Sequence, residues 1–166
     1  MKNEINLILK QFVVIALLVL VVSSCKNIGQ VKIGLLIPAS KGYRWPTDQK
    51  YIEKAATDKG IEVITRSAEN DENLQLKQAK ELLEVGGDVL IVVSANANTA
   101  AAIVRDAHDY NVPVIGYDRL IKNSDLDYLV TFEGAEIVNL MVNYAINKKP
   151  EGNYVMLWGD AGDVNA

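Results

Sequence analysis

Apolar runs of β type recur along this chain roughly every 25 to 30 residues, and stretches of helical periodicity separate them. The runs are VKIGLLI (31–37), IEVIT (61–65), DVLIVV (88–93) and VPVIGY (112–117), with further ones at YLVTF (128–132) and YVMLW (154–158). Tyr51, Ile52, Ala55 and Ala56 predict a first helix that Gly60 would terminate. Leu74, Leu76, Ala79, Leu82 and Leu83 form the apolar stripe of a second, and NDEN (70–73) offers its N-cap and acidic first turn. Ala100 to Tyr110 predicts a third helix and residues 135–147 a fourth. Strands this apolar are covered on both faces, and connections of this length suit parallel pairing through crossover helices. The expected fold is α/β, an open parallel sheet with helices on both faces.

The first residues follow another pattern. Lys2 and Lys10 precede an uninterrupted apolar run from Phe12 to Val22, and VSSC ends at Cys25. Eleven apolar residues are short for a bilayer span but suit the core of an export signal. The segment resembles a bacterial lipoprotein signal, which implies that Cys25 is lipidated and becomes the mature N-terminus. Ordinary signal cleavage and an uncleaved anchor are the alternatives. Cys25 is the one cysteine, so an intrachain disulfide is excluded.

With 166 residues, 49% hydrophobic and 23% charged, the chain has material for a real core. A net charge of −4 without a dense Lys/Arg cluster speaks against a nucleic-acid partner. Lys148-Lys149 reads as a solvated helix end. Neither GxGxxG nor GxxxxGK[ST] follows the first strand, so no dinucleotide or nucleotide cofactor is expected. The sole histidine, His108, reads as a solvated helix residue, and no metal site is expected.

In open parallel sheets ligands bind beyond the carboxyl ends of the strands. After the first strand come Arg44 and Trp45, after the third Ser94 and Asn96, and after the fourth Asp118 and Arg119. The last run leads to Asp160, Asp163 and Asn165. Each alone could serve a loop, a cap or a lid. Together on one edge they suit a polyhydroxylated ligand, whose hydroxyls both donate and accept and whose ring C–H surface stacks on an indole.

VKIGLLIPASKGYRW, YDRLIKNSDLDYLVTF and GNYVMLWGDAGDVNA together resemble the periplasmic sugar-binding proteins of ABC importers, from about Val31 to Ala166. The Asp-Arg pair is shared with ribose-type binders, whereas Arg44-Trp45 and NSDLDY point to the xylose-binding branch. The resemblance implies that Arg44, Asp118 and Arg119 hold sugar hydroxyls, that Trp45 is an aromatic wall, and that Asn165, with Asp163 nearby, reaches in from a second lobe. It also implies a signal peptide over 1–24, a tether over 25–30, a nearly complete sugar-binding lobe over 31–132, and the beginning of a truncated second lobe over 133–166. Family members are about twice this length, which makes the chain a fragment by expectation.

The function implied is a monomeric, lipid-anchored, extracytoplasmic receptor that delivers a monosaccharide, D-xylose first, to an ABC transporter permease without cofactor or catalysis. Its location would be the periplasmic or cell-surface side of a bacterial membrane. The alternatives are a ribose- or galactose-type sugar sensor without a transport role and an α/β enzyme acting on a small polar substrate. An enzyme would have to take Asp118 or Asp163 as its base. The ligand-sensing lobe of a transcription factor is opposed by the export signal and by the lack of a basic helix-turn-helix segment.

Overall fold

The computed structural model describes residues 30–157 and Gly159. Five parallel strands form one sheet: β1 (Lys32–Ile37), β2 (Glu62–Ser67), β3 (Val89–Val92), β4 (Val114–Tyr117) and β5 (Tyr128–Val130), in the order β2-β1-β3-β4-β5. Helices α1 (Arg44–Thr57), α2 (Glu72–Glu84) and α3 (Ala101–Asp109) connect the first four strands, and α4 (Gly134–Lys148) follows β5. The expected open parallel α/β sheet is therefore the observed one.

Alternation along the strands sorts the core into two layers. Leu36, Leu90, Val92 and Val114 face α2 and α3, where Ala79, Leu82, Leu83, Ile103, Val104 and Ala107 complete one buried cluster. Leu35, Ile37 and Val93 face the other way and pack with Trp45 and Ile52 of α1, Val63, Ile91 and Tyr117. Gly34 lets α2 lie close on the sheet, because a Cβ there would come 2.6 Å from Leu90 Cδ2 and 3.0 Å from Leu82 Cδ1.

The helix ends follow local chemistry. Asp71 caps α2 by accepting from the backbone N–H groups of Asn73 and Leu74 at 2.8 and 3.1 Å. Gly60, at φ 69°, turns the chain out of α1 while the Ile61 N–H reaches the Ala56 carbonyl at 2.9 Å.

Among the described residues, the predicted strand at 154–158 is not observed, and Trp158 lies outside them. Residues 154–157 join no ladder, and Val155 and Leu157 are 86% and 91% exposed. A strand's apolar composition reports its fit to a pleated, half-buried surface, and here no neighbouring strand supplies that surface. The same holds for the side chains of α4, none of which is buried. His108 also departs from expectation. It is partly exposed, but its Nε2 lies 3.0 Å from Asp127 Oδ2, whose oxygen also accepts from the Val114 N–H at 2.8 Å.

Candidate functional site

β1 and β3 are adjacent, yet the chain runs outward in opposite directions from them, which opens a crevice at their carboxyl ends. The loop after β1 delivers Arg44 and Trp45 at the start of α1. Ser94 follows β3, and Asp118 and Arg119 follow β4. Three neighbouring strand ends thus converge on one place.

Asp118 turns the chain directly after β4 without a glycine. Its φ of 64° puts it in the left-handed region, which aspartate tolerates better than most residues. The bend is secured on both sides. The Asp118 N–H donates to the Val130 carbonyl at 2.7 Å, and the Asp118 carbonyl accepts from Thr131 Oγ1 at 2.6 Å. The carboxylate, on a residue 3% exposed, makes an ion pair with the Arg44 guanidinium, whose own side chain is 47% exposed. A buried acceptor thus holds a cation that still reaches solvent.

Trp45 joins the two arginines. The Arg44 guanidinium lies 4.6 Å from the indole centroid and that of Arg119 5.3 Å from it, both within cation–π range. Arg119 Nη1 also donates to the Ser94 carbonyl at 2.9 Å. On α1, Asp48 Oδ2 is 3.7 Å from Arg44 Nε. Burial, followed by the negative charge of Asp48, pushes the Tyr117 phenol above its ordinary value. The cluster therefore balances two guanidiniums with two carboxylates around an aromatic face. It can offer donors and acceptors to a neutral polyol with no net charge.

Arg44, Trp45, Asp118 and Arg119 are brought together as the sequence suggested. Asn96 sits in the loop after β3, where its Oδ1 accepts from the Asn98 N–H at 2.9 Å, so its amide oxygen serves a local turn. Asp160, Asp163, Asn165 and Cys25 lie outside the described residues. Sequence reasoning missed Asp48, whose signal was its i+4 spacing from Arg44. It also missed Phe132, 5.7 Å from the Arg44 guanidinium.

This parallel sheet carries a polar and aromatic cluster at its switch point, the place where open α/β sheets take their ligands. The chain belongs to the family described as the periplasmic binding protein domain, whose model matches residues 33–166. It is 33% identical over 146 residues to the D-xylose-binding periplasmic protein of Haemophilus influenzae, covering 88% of this chain and 44% of that relative. It is 30% identical over 137 residues to the D-xylose-binding periplasmic protein of Escherichia coli, covering 82% and 42%. Among solved structures, an ABC transporter solute-binding protein from Clostridium phytofermentans with bound β-D-glucose aligns at TM-score 0.76 and 28% identity, covering 81% of this chain and 44% of that one. The chain thus spans less than half the length of these relatives.

Proposed function

We propose that this chain provides the first lobe of an extracytoplasmic receptor for a monosaccharide, D-xylose foremost, that hands its sugar to an ABC transporter. The observation that carries the reading is the charge-balanced group of Arg44, Asp48, Asp118 and Arg119 around Trp45. An uncharged sugar suits it; a phosphorylated one would call for an excess of donors. The names of two relatives and the Arg44-Trp45 and NSDLDY stretches support xylose, while the glucose bound to a structural neighbour sets the main competitor. In this reading Asp118 accepts hydrogen bonds and is not a catalytic base, so the protein is a receptor and not an enzyme. Residues 133–166 open a second lobe that contributes Asp163 and Asn165, and lipidated Cys25 anchors the protein as a monomer.

Hydrogen bonds to charged groups are worth about 1.5–3 kcal/mol each, whereas micromolar binding needs about 8 kcal/mol. Three such side chains therefore fall short once ordering costs are included. The chain should bind sugar weakly by itself, and at micromolar affinity when extended with the second lobe of the Haemophilus influenzae relative. Calorimetric titration of both forms with xylose, ribose, glucose and arabinose decides the matter. A clear preference for ribose or a hexose overturns the xylose assignment, and silence with every sugar overturns the receptor reading. Unchanged membrane fractionation of Cys25→Ser would remove the anchor from the proposal.

A further inference from the structure

Gln75 is a polar residue in the middle of the α2 apolar stripe, and it is 1% exposed. Both ends of its carboxamide are used on the chain just beyond β3. Nε2 donates to the Val93 carbonyl at 3.0 Å, and Oε1 accepts from the Ala95 N–H at 2.8 Å. The Val93 N–H still pairs with the Leu36 carbonyl at 2.9 Å, so the carboxamide takes over where the ladder stops. Without it, a buried carbonyl and a partly buried N–H would lose their partners.

Ser94 lies between the two gripped groups. Its carbonyl is the one that accepts from Arg119 Nη1 at 2.9 Å, and the Arg119 guanidinium in turn lies over Trp45. We infer that Gln75 is a positioning residue for the ligand site: it fixes the Ser94 peptide, which orients Arg119 against the indole. This inference rests on the sugar-receptor reading for its functional consequence but not for its geometry. The position needs a donor and an acceptor on one planar group. Methionine offers neither, and an ionised glutamate would face the Val93 carbonyl with a lone pair.

The experiment compares Gln75→Met, Gln75→Glu and a control, Gln78→Met. Gln78 is on the same helix, but its Nε2 donates to the Ser67 carbonyl at 2.9 Å, at the end of a different strand. The first readout is the guanidinium NMR signal of Arg119 without sugar. It should show hindered rotation in the native chain and in Gln78→Met, and averaged rotation in Gln75→Met. Gln75→Glu should recover the native signal as acid protonates its carboxyl, since a carboxylic acid again supplies one donor and one acceptor. The second readout is xylose affinity in the extended chain. Gln75→Met should weaken it by about five- to ten-fold, the equivalent of one hydrogen bond, and should cost nothing further in an Arg119→Ala background. An unchanged Arg119 signal in Gln75→Met, or in Gln75→Glu at a pH raised until its carboxyl is ionised if the methionine variant does not fold, overturns the inference. So does a loss that adds fully to that of Arg119→Ala. If the native extended chain binds no sugar, the receptor reading fails, while the Arg119 signal still decides the positioning role.

Discussion

Arg44 and Asp118 stand 74 residues apart in the chain and meet as an ion pair at the carboxyl edge of the sheet. One closes the connection from β1 and the other leaves β4, so β3 separates their strands. The pair depends on an unusual backbone. With Asp118 in the left-handed region, its N–H and carbonyl both bond to the β5 segment while its carboxylate turns inward. Such strain persists where surrounding contacts over-determine it, and it gathers at functional sites.

Two substitutions at this position separate the backbone from the charge. Asp118→Ala and Asp118→Gly both remove the ion pair and leave Arg44 without this partner. Glycine adopts positive φ freely, whereas alanine meets a cost of about 1–2 kcal/mol, partly offset by glycine's greater unfolded-state entropy. The glycine variant should therefore unfold about 1 kcal/mol later than the alanine variant in urea, and both should fall below the native protein. Equal stability of the two would mean that the bend carries no strain.

Gly34 tests the closeness of α2 to the sheet. An added methyl would meet Leu90 and Leu82 inside normal contact distance, and both are fully buried. Overpacking a dense core costs about 1–3 kcal/mol. Gly34→Ala should lower the urea midpoint at unchanged slope. A stabilised variant would show that both leucines can shift without penalty.

Much of this was legible from periodicity and position. The parallel sheet followed from the spacing of apolar runs, and the meeting of Arg44, Trp45, Asp118 and Arg119 in the candidate site followed from what stands at strand ends. The failures share a cause: they depended on partners that a local pattern does not contain. YVMLW has strand composition, but its residues 154–157 find no adjacent ladder among the described residues. Gln75 was not singled out, because the ladder end that it completes lies 18 residues away. His108 looked solvated because Asp127, 19 residues on, is invisible to helical periodicity.

That histidine pair predicts a pH response. The hydrogen bond from His108, and then that from the Val114 N–H, hold the Asp127 carboxyl below its ordinary value of 3.8. A depressed carboxyl stabilises the fold above its unfolded-state value and loses that contribution as pH falls through the folded-state value. The native chain should therefore be more stable than Asp127→Asn at pH 6, with the gap closing as the pH falls below 3.8. Thermal unfolding of both proteins across that range checks it. A gap that widens in acid would reverse the assigned sign.

Trp45 is the residue on which most of the site converges, since it carries one guanidinium on each of two contacts and packs its remaining surface against the Leu35, Ile37 and Val93 layer. Under the proposed function its removal should act twice, by taking away the face proposed to cover the sugar ring and by releasing both arginines. Each exposed cation–π contact is worth about 0.5–1 kcal/mol, so the arginine contribution alone is about 1–2 kcal/mol. To the extent that these contacts preorganise the arginines for sugar, their loss weakens affinity by at most roughly five- to thirty-fold. Trp45→Ala in the extended chain should therefore weaken xylose binding, through the lost aromatic face together with this preorganisation. Trp45→Phe keeps a smaller aromatic face and should recover part of the loss. Calorimetry on the two variants, with circular dichroism to verify the fold, provides the comparison. If Trp45→Phe binds no better than Trp45→Ala, the aromatic face is not what holds the ring and the arginines in place.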